Sequence, residues 1–127
     1  MYMKNVCRLL AVAVLFVSTV ALAGSFDGTY NFKSRAKDGQ PDMQGWTGTM
    51  TIKNDEITRN FKSPDGTQEK YYTSTWKKDG DVYAMKFTKA YKPEYVGKEY
   101  KNKVNVTDNT LTFEGTDSKF TETWTKK

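Results

Sequence analysis

Trp46-Thr47-Gly48-Thr49-Met50-Thr51-Ile52-Lys53 alternates without a break. Trp46, Gly48, Met50 and Ile52 fall on one side, and Thr47, Thr49, Thr51 and Lys53 on the other. A period of two is the signature of a strand, whose successive side chains point to opposite faces. One face of this strand suits an interior and the other suits water. Asn54-Asp55 follows as a two-residue hairpin signal. Ile57, Arg59 and Phe61 then resume the alternation.

The pattern extends both ways. Upstream, residues 26–33 set Tyr30 and Phe32 against Thr29 and Asn31, and the polar stretch 34–45 reads as a loop. Downstream, Ser63-Pro64-Asp65-Gly66 is a turn in which Pro presets φ and Gly accepts a positive one. Four more inward sets follow: Tyr72, Ser74 and Trp76; Tyr83, Met85 and Phe87; Tyr100, Asn102, Val104 and Val106; Leu111 and Phe113. Phe120, Glu122 and Trp124 make the last. Asp79-Gly80, Asp108-Asn109 and residues 115–118 are turns, and Pro93 to Val96 reads as one helical turn. Eight short strands with local connections predict an all-β, eight-stranded antiparallel up-and-down barrel, with a two-sheet β-sandwich as the alternative.

Composition explains what such a core is made of. From residue 24 onward there are two Ile, one Leu and four Val, against sixteen aromatics and sixteen threonines. So few aliphatics would ordinarily mark disorder. Regularly spaced rings reverse that reading, because each buries ~150–250 Å². The core is expected to be aromatic and the outer face threonine-rich.

Residues 1–23 read as a cleaved secretory signal. Lys4 and Arg8 are its basic start, Leu9 to Ala23 its apolar run, and Ala21-Leu22-Ala23 its cleavage site, so the mature chain begins at Gly24. The run has 15 residues, whereas a membrane-spanning helix needs ~20, so no transmembrane anchor is expected. Cys7 leaves with the signal, so packing and not a disulfide must hold the mature domain. Cleavage removes two basic residues and no acid, lowering the formal charge from +5 to +3. The expected location is periplasmic or secreted.

Phe26-Asp27-Gly28-Thr29-Tyr30-Asn31-Phe32 resembles the opening strand of the calycin barrels, which include lipocalins, fatty-acid-binding proteins and avidins. Those families begin with Gly-x-Trp; Gly28 matches the glycine and Tyr30 stands where they have tryptophan. The resemblance implies a small-ligand pocket, with residues 34–45 where lipocalins place a lid. The family's last-strand arginine is missing; Lys126 and Lys127 close the sequence.

The absence of histidine excludes Ser-His-Asp and Cys-His nucleophiles, His-based zinc sites and histidine pH switches. Asp65-Gly66 and Asp79-Gly80-Asp81 are turn chemistry and not calcium loops, and no phosphate-binding glycine loop occurs. No cofactor, metal or enzymatic activity is expected. The inward polar groups are few, and Arg59 and Glu122 are the inward charges in strand interiors, of opposite sign. Either Arg59 fixes a ligand's acidic or carbonyl group in an aromatic-lined cavity, or the two form a structural ion pair. The candidate ligand-binding set is Arg59, Glu122, Tyr72, Trp76, Tyr83, Asn102 and Trp124. A second candidate surface is Lys89, Lys92, Lys98, Lys101 and Lys103 among tyrosines. It reads as a solvated face or as a site for an anionic envelope component, and not for nucleic acid, because Glu94 and Glu99 dilute its charge. The expected function is a monomeric, exported, non-enzymatic module holding a small apolar or aromatic ligand. The alternative is a packed barrel acting through its Lys/Tyr-rich surface as an envelope-associated or protein-binding module, such as an inhibitor.

Overall fold

A computed structural model describes residues 26–117 and 119–127. The signal read over residues 1–23, with Cys7, lies outside the described residues. Nine strands run in chain order: β1 (Gly28–Lys37), β2 (Gln40–Asp42), β3 (Thr47–Lys53), β4 (Glu56–Lys62), β5 (Glu69–Asp79), β6 (Val82–Ala90), β7 (Glu99–Thr107), β8 (Thr110–Gly115) and β9 (Phe120–Lys126). They form one antiparallel sheet in the order β2-β1-β3-β4-β5-β6-β7-β8-β9, and β9 pairs back onto β1. Eight strands thus close into a barrel, with β2 as an extra strand beside β1. Closure excludes the two-sheet sandwich and leaves no long unpaired edge. Among the described residues no helix is long and apolar enough to cross a membrane. The outward face carries Thr47, Thr49, Thr51 and Lys53, the reverse of the apolar band that a membrane-spanning barrel turns outward.

The stretch 34–45 is not the irregular loop expected. β1 continues to Lys37 and turns through Asp38 (φ 52°) and Gly39 (φ 76°) into β2. Two successive positive φ values make the hairpin turn that an Asp-Gly pair favours. A bulge in β1 matters more. Phe32 pairs with Trp124 and Ser34 with Thr123, which leaves Lys33 as an extra residue. One extra residue reverses the inward phase, so Arg35 joins Phe32 on the inner face. Val106 is a second departure: it was expected inside and is 45% exposed. It lies on the part of β7 that pairs with β8 and has no partner on β6.

The two ends of the barrel differ. At one end, two-residue turns such as Asn54-Asp55 and Asp108-Asn109 join the strands. Phe26 packs there on Trp76 (centroids 5.3 Å) and Tyr83 (5.8 Å), and the Tyr30 hydroxyl donates to the Phe26 carbonyl at 2.7 Å. Trp76 Nε1 donates to the Asn54 carbonyl at 3.1 Å. This end is closed by rings, and the polar atoms of Tyr30 and Trp76 among them have partners. The other end carries the longer connections, including the 3-10 turn Pro93–Tyr95.

Between the ends, Trp124 is fully buried, with Phe32 at 5.3 Å and Phe61 at 5.5 Å. Gly48 makes that packing feasible: a Cβ there would stand 2.9 Å from Phe61 and 3.1 Å from Phe32. Rings this large need a neighbour with no side chain. Trp124→Ala should therefore cost about 3–5 kcal/mol by leaving a cavity. Gly48→Val should cost about 1–3 kcal/mol by overfilling the same layer. Urea unfolding of each variant measures both losses.

In the turn between β4 and β5, Asp65 accepts from the Ser63 hydroxyl at 2.6 Å and from the Thr67 amide at 3.0 Å and hydroxyl at 2.8 Å. Those bonds, that from Ser63 first, hold its carboxyl at about 2, below the ordinary 3.8. A depressed acid stabilises the fold above its unfolded value and loses that contribution as pH falls through its folded one. NMR titration should place the Asp65 midpoint near 2, and Ser63→Ala should move it upward.

Candidate functional site

The open end holds a cavity of about 330 Å³. Its wall is aromatic: Tyr72 from β5, Phe87 from β6, Tyr100 from β7, Phe113 from β8, Phe120 from β9 and Tyr95 from the 3-10 turn. Its polar groups are Arg35, Arg59, Asn102 and Glu122, with Lys98 and Glu99 at the rim. Seven of the nine strands, all but β2 and β3, contribute to this lining, so residues far apart in the chain converge.

Glu122 organises these groups. Its Oε1 accepts from Arg59 Nη1 at 2.9 Å and from Trp124 Nε1 at 2.7 Å. Its Oε2 faces Arg35 Nη1 at 3.9 Å. The Arg59 and Glu122 side chains are 13% and 7% exposed. Arg59 Nη2 donates to the Tyr100 hydroxyl at 3.3 Å, and that hydroxyl lies 3.3 Å from Ser74 Oγ. The guanidinium also sits 5.1 Å from the Tyr72 ring centroid. Burial, the largest single influence on Arg59, would lower its pKa. The charge of Glu122, then Tyr100 and the hydrogen bond to Glu122, outweigh burial and hold the guanidinium above its ordinary value. A cation raised in this way keeps its full contribution below its unfolded pKa, hence throughout the working range. Burial first, then Tyr91 beside it, raise the Tyr72 phenol, which stays neutral.

The expected ligand-binding set divides. Arg59, Glu122, Tyr72 and Asn102 meet around the cavity. Asn102 Nδ2 donates to Met85 Sδ at 3.2 Å. Trp76 and Tyr83 do not line it; their rings pack together at 4.8 Å in the closed end. Trp124 lies beneath the cavity and touches its chemistry only through Glu122. Of the two readings of Arg59 and Glu122, the geometry shows the ion pair.

The lysine surface divides as well. Lys98 stands at the cavity rim, 5.5 Å from the Tyr95 ring, and Lys92 lies 5.7 Å and 5.8 Å from the Tyr91 and Tyr95 rings. Lys101 instead pairs with Asp79 at 3.4 Å, and Lys103 stands opposite Glu114 across β8. Lys89 is exposed on β6, opposite Thr73. Lys101 and Lys103 therefore each have an acidic neighbour, while Lys92 and Lys98 stand over tyrosine rings.

Sequence reasoning missed Arg35 and, as wall residues, Phe87, Tyr95, Tyr100, Phe113 and Phe120, although it set all of these rings but Tyr95 in the inward phase. Arg35 was placed in a loop, and the bulge at Lys33 carries it inside. The Asp38-Gly39 pair was the available signal, because a hairpin there forces β1 to run on through Arg35. Among the described residues no group of three acidic, histidine or cysteine side chains could hold a metal ion.

Comparison with family models, with curated proteins and with solved structures returned no match. The assignment of the site therefore rests on its geometry.

Glu122→Leu strands Arg59 among rings and deprives Trp124 of its acceptor, so it should cost about 3–5 kcal/mol. Arg59→Met/Glu122→Leu together should cost clearly less than the sum of the single changes. A double-mutant cycle by urea unfolding measures the coupling.

Proposed function

We propose that the chain is an exported, non-enzymatic binding module, a calycin-like barrel that holds a small apolar or aromatic ligand in its open end. The observation that carries this reading is the cavity of about 330 Å³ with its aromatic wall and few convergent polar groups. Ligand sites are commonly concave, mostly apolar and served by a small number of placed polar side chains. The contrast within one barrel supports it further. Rings pack against one another at the closed end, while rings of the same kind line a space at the other. The Gly28 match to the calycin opening strand, with Tyr30 in place of its tryptophan, points to the same class, and the leader to export.

The surface-acting alternative calls for a solid interior and a contiguous Lys/Tyr face. The cavity, and the carboxylates that stand beside Lys101 and Lys103, favour the pocket over it.

Native mass spectrometry of protein purified from its own host should show a small added mass that denaturation releases. Purified protein should also take up the neutral fluorophore 1-aminoanthracene saturably at one site. A bare polypeptide mass together with no saturable uptake would refute the reading.

A further inference from the structure

The charged side chains that line the cavity carry one more cation than anion, and the nearest counter-ion of the extra cation, Asp42, lies outside the lining. Glu122 is paired with Arg59 at 2.9 Å. Arg35 is a second cation on the same wall, with its side chain 19% exposed. Its Nε is buried and, among the described residues, has no hydrogen-bond partner. Asp42 Oδ2 lies 3.4 Å from that nitrogen, within Coulombic reach but outside hydrogen-bond geometry, and Asp42 is itself 39% exposed. Arg35 Nη1 donates to Met43 Sδ at 3.3 Å, a weak acceptor, and stands 3.9 Å from Glu122 Oε2. Arg35, Arg59 and Glu122 sum to +1 on the cavity wall; Asp42 offsets this from outside it, and the Phe120 ring covers one side of the Arg35 guanidinium at 4.3 Å. A neutral molecule filling the space would strip water from Arg35 and return nothing. An anion would replace that water with charge-assisted, fork-shaped hydrogen bonds.

The wall also has a direction. Tyr100 and Phe87 lie at 29° to each other, Phe87 and Tyr95 at 30°, and Tyr95 and Tyr72 at 18°. Near-parallel rings favour a flat ring in offset stacking. A flexible acyl chain gains no stacking there and loses rotational freedom on entry.

Building on the binding reading above, we infer that the ligand class is the flat aromatic monoanion, an aromatic carboxylate anchored by Arg35. Arg59 lines the same cavity and takes the short hydrogen bond of Glu122, which leaves Arg35 with only the longer contacts to Glu122 and Asp42.

Calorimetric titration with 2-naphthoate, 2-naphthalenemethanol and octanoate tests this. The two naphthyl probes share a ring and differ in charge; octanoate keeps the charge and loses the ring. Naphthoate should bind about tenfold or more tighter than the alcohol, as charge-assisted hydrogen bonds allow, and tighter than octanoate. Arg35→Gln should weaken naphthoate alone and bring the two naphthyl affinities together, while Arg35→Lys restores part of the gap. Unchanged melting temperatures show that both variants fold. Equal naphthyl affinities in the unaltered protein, or a gap that survives Arg35→Gln, would overturn the anion assignment and leave the pocket reading intact. Octanoate binding as tightly as naphthoate would overturn the preference for a flat ring. Failure of all three probes would bring down the pocket reading itself.

Discussion

A carboxylate shut inside a cylinder of aromatic rings must be matched before the cylinder can close. Glu122 sets that condition. One of its oxygens takes both the Arg59 guanidinium and the Trp124 indole N–H. The pairing joins β4 to β9 and ties the most deeply buried ring to the charged layer above it. Without the cation, the acid would have to be neutralised or hydrated. Without the acid, two arginines would face each other across an apolar space. The packed and polar layers are thus one arrangement.

That arrangement divides the interior. Below Glu122, Phe32 meets Phe61 and Trp124 edge to face, Phe61 lies tilted against Trp124, and only glycine fits at position 48 beside them. Above it, charged groups hold the walls apart and the rings line a space instead of filling it. A guanidinium–carboxylate pair keeps some polar surface near solvent, and longer connections surround it. The cavity therefore lies where the charges lie, and the closed end is the half that carries none inside.

Much of this was legible from period two alone. Met50, Ile52, Ile57, Phe61, Trp76, Met85, Leu111, Phe113 and Trp124 are buried as their phase requires. Arg59 and Glu122 were recognisable as a pair because they are opposite charges in inward phase on different strands. What escaped was register. A bulge adds one residue without altering composition, so nothing near Lys33 announced that the phase would flip and bring Arg35 inside. Hollow and filled interiors were equally hidden, because both use the same rings on the same faces. Trp76 and Tyr83 matched Tyr72 in phase, yet height along the barrel axis separates them from the cavity. Alternation specifies a face and not a height. Val106 failed for a related reason: β7 outruns β6, and an inward phase means little where no wall stands opposite.

The pairing of β9 with β1 is different in kind from the others. Every other neighbouring pair is contiguous in the chain or separated only by the small β2 excursion, so it can form as a local hairpin. The last seam joins residues 30–37 to residues 120–126. Its loop-closure entropy is the largest in the molecule and is met only after the rest of the ring has curled. The folding barrier should therefore sit at this seam. A circular permutant that links the segments flanking it, and opens the chain at the exposed Gly80 turn, would convert the slowest contact into a local one while leaving every interior neighbour in place.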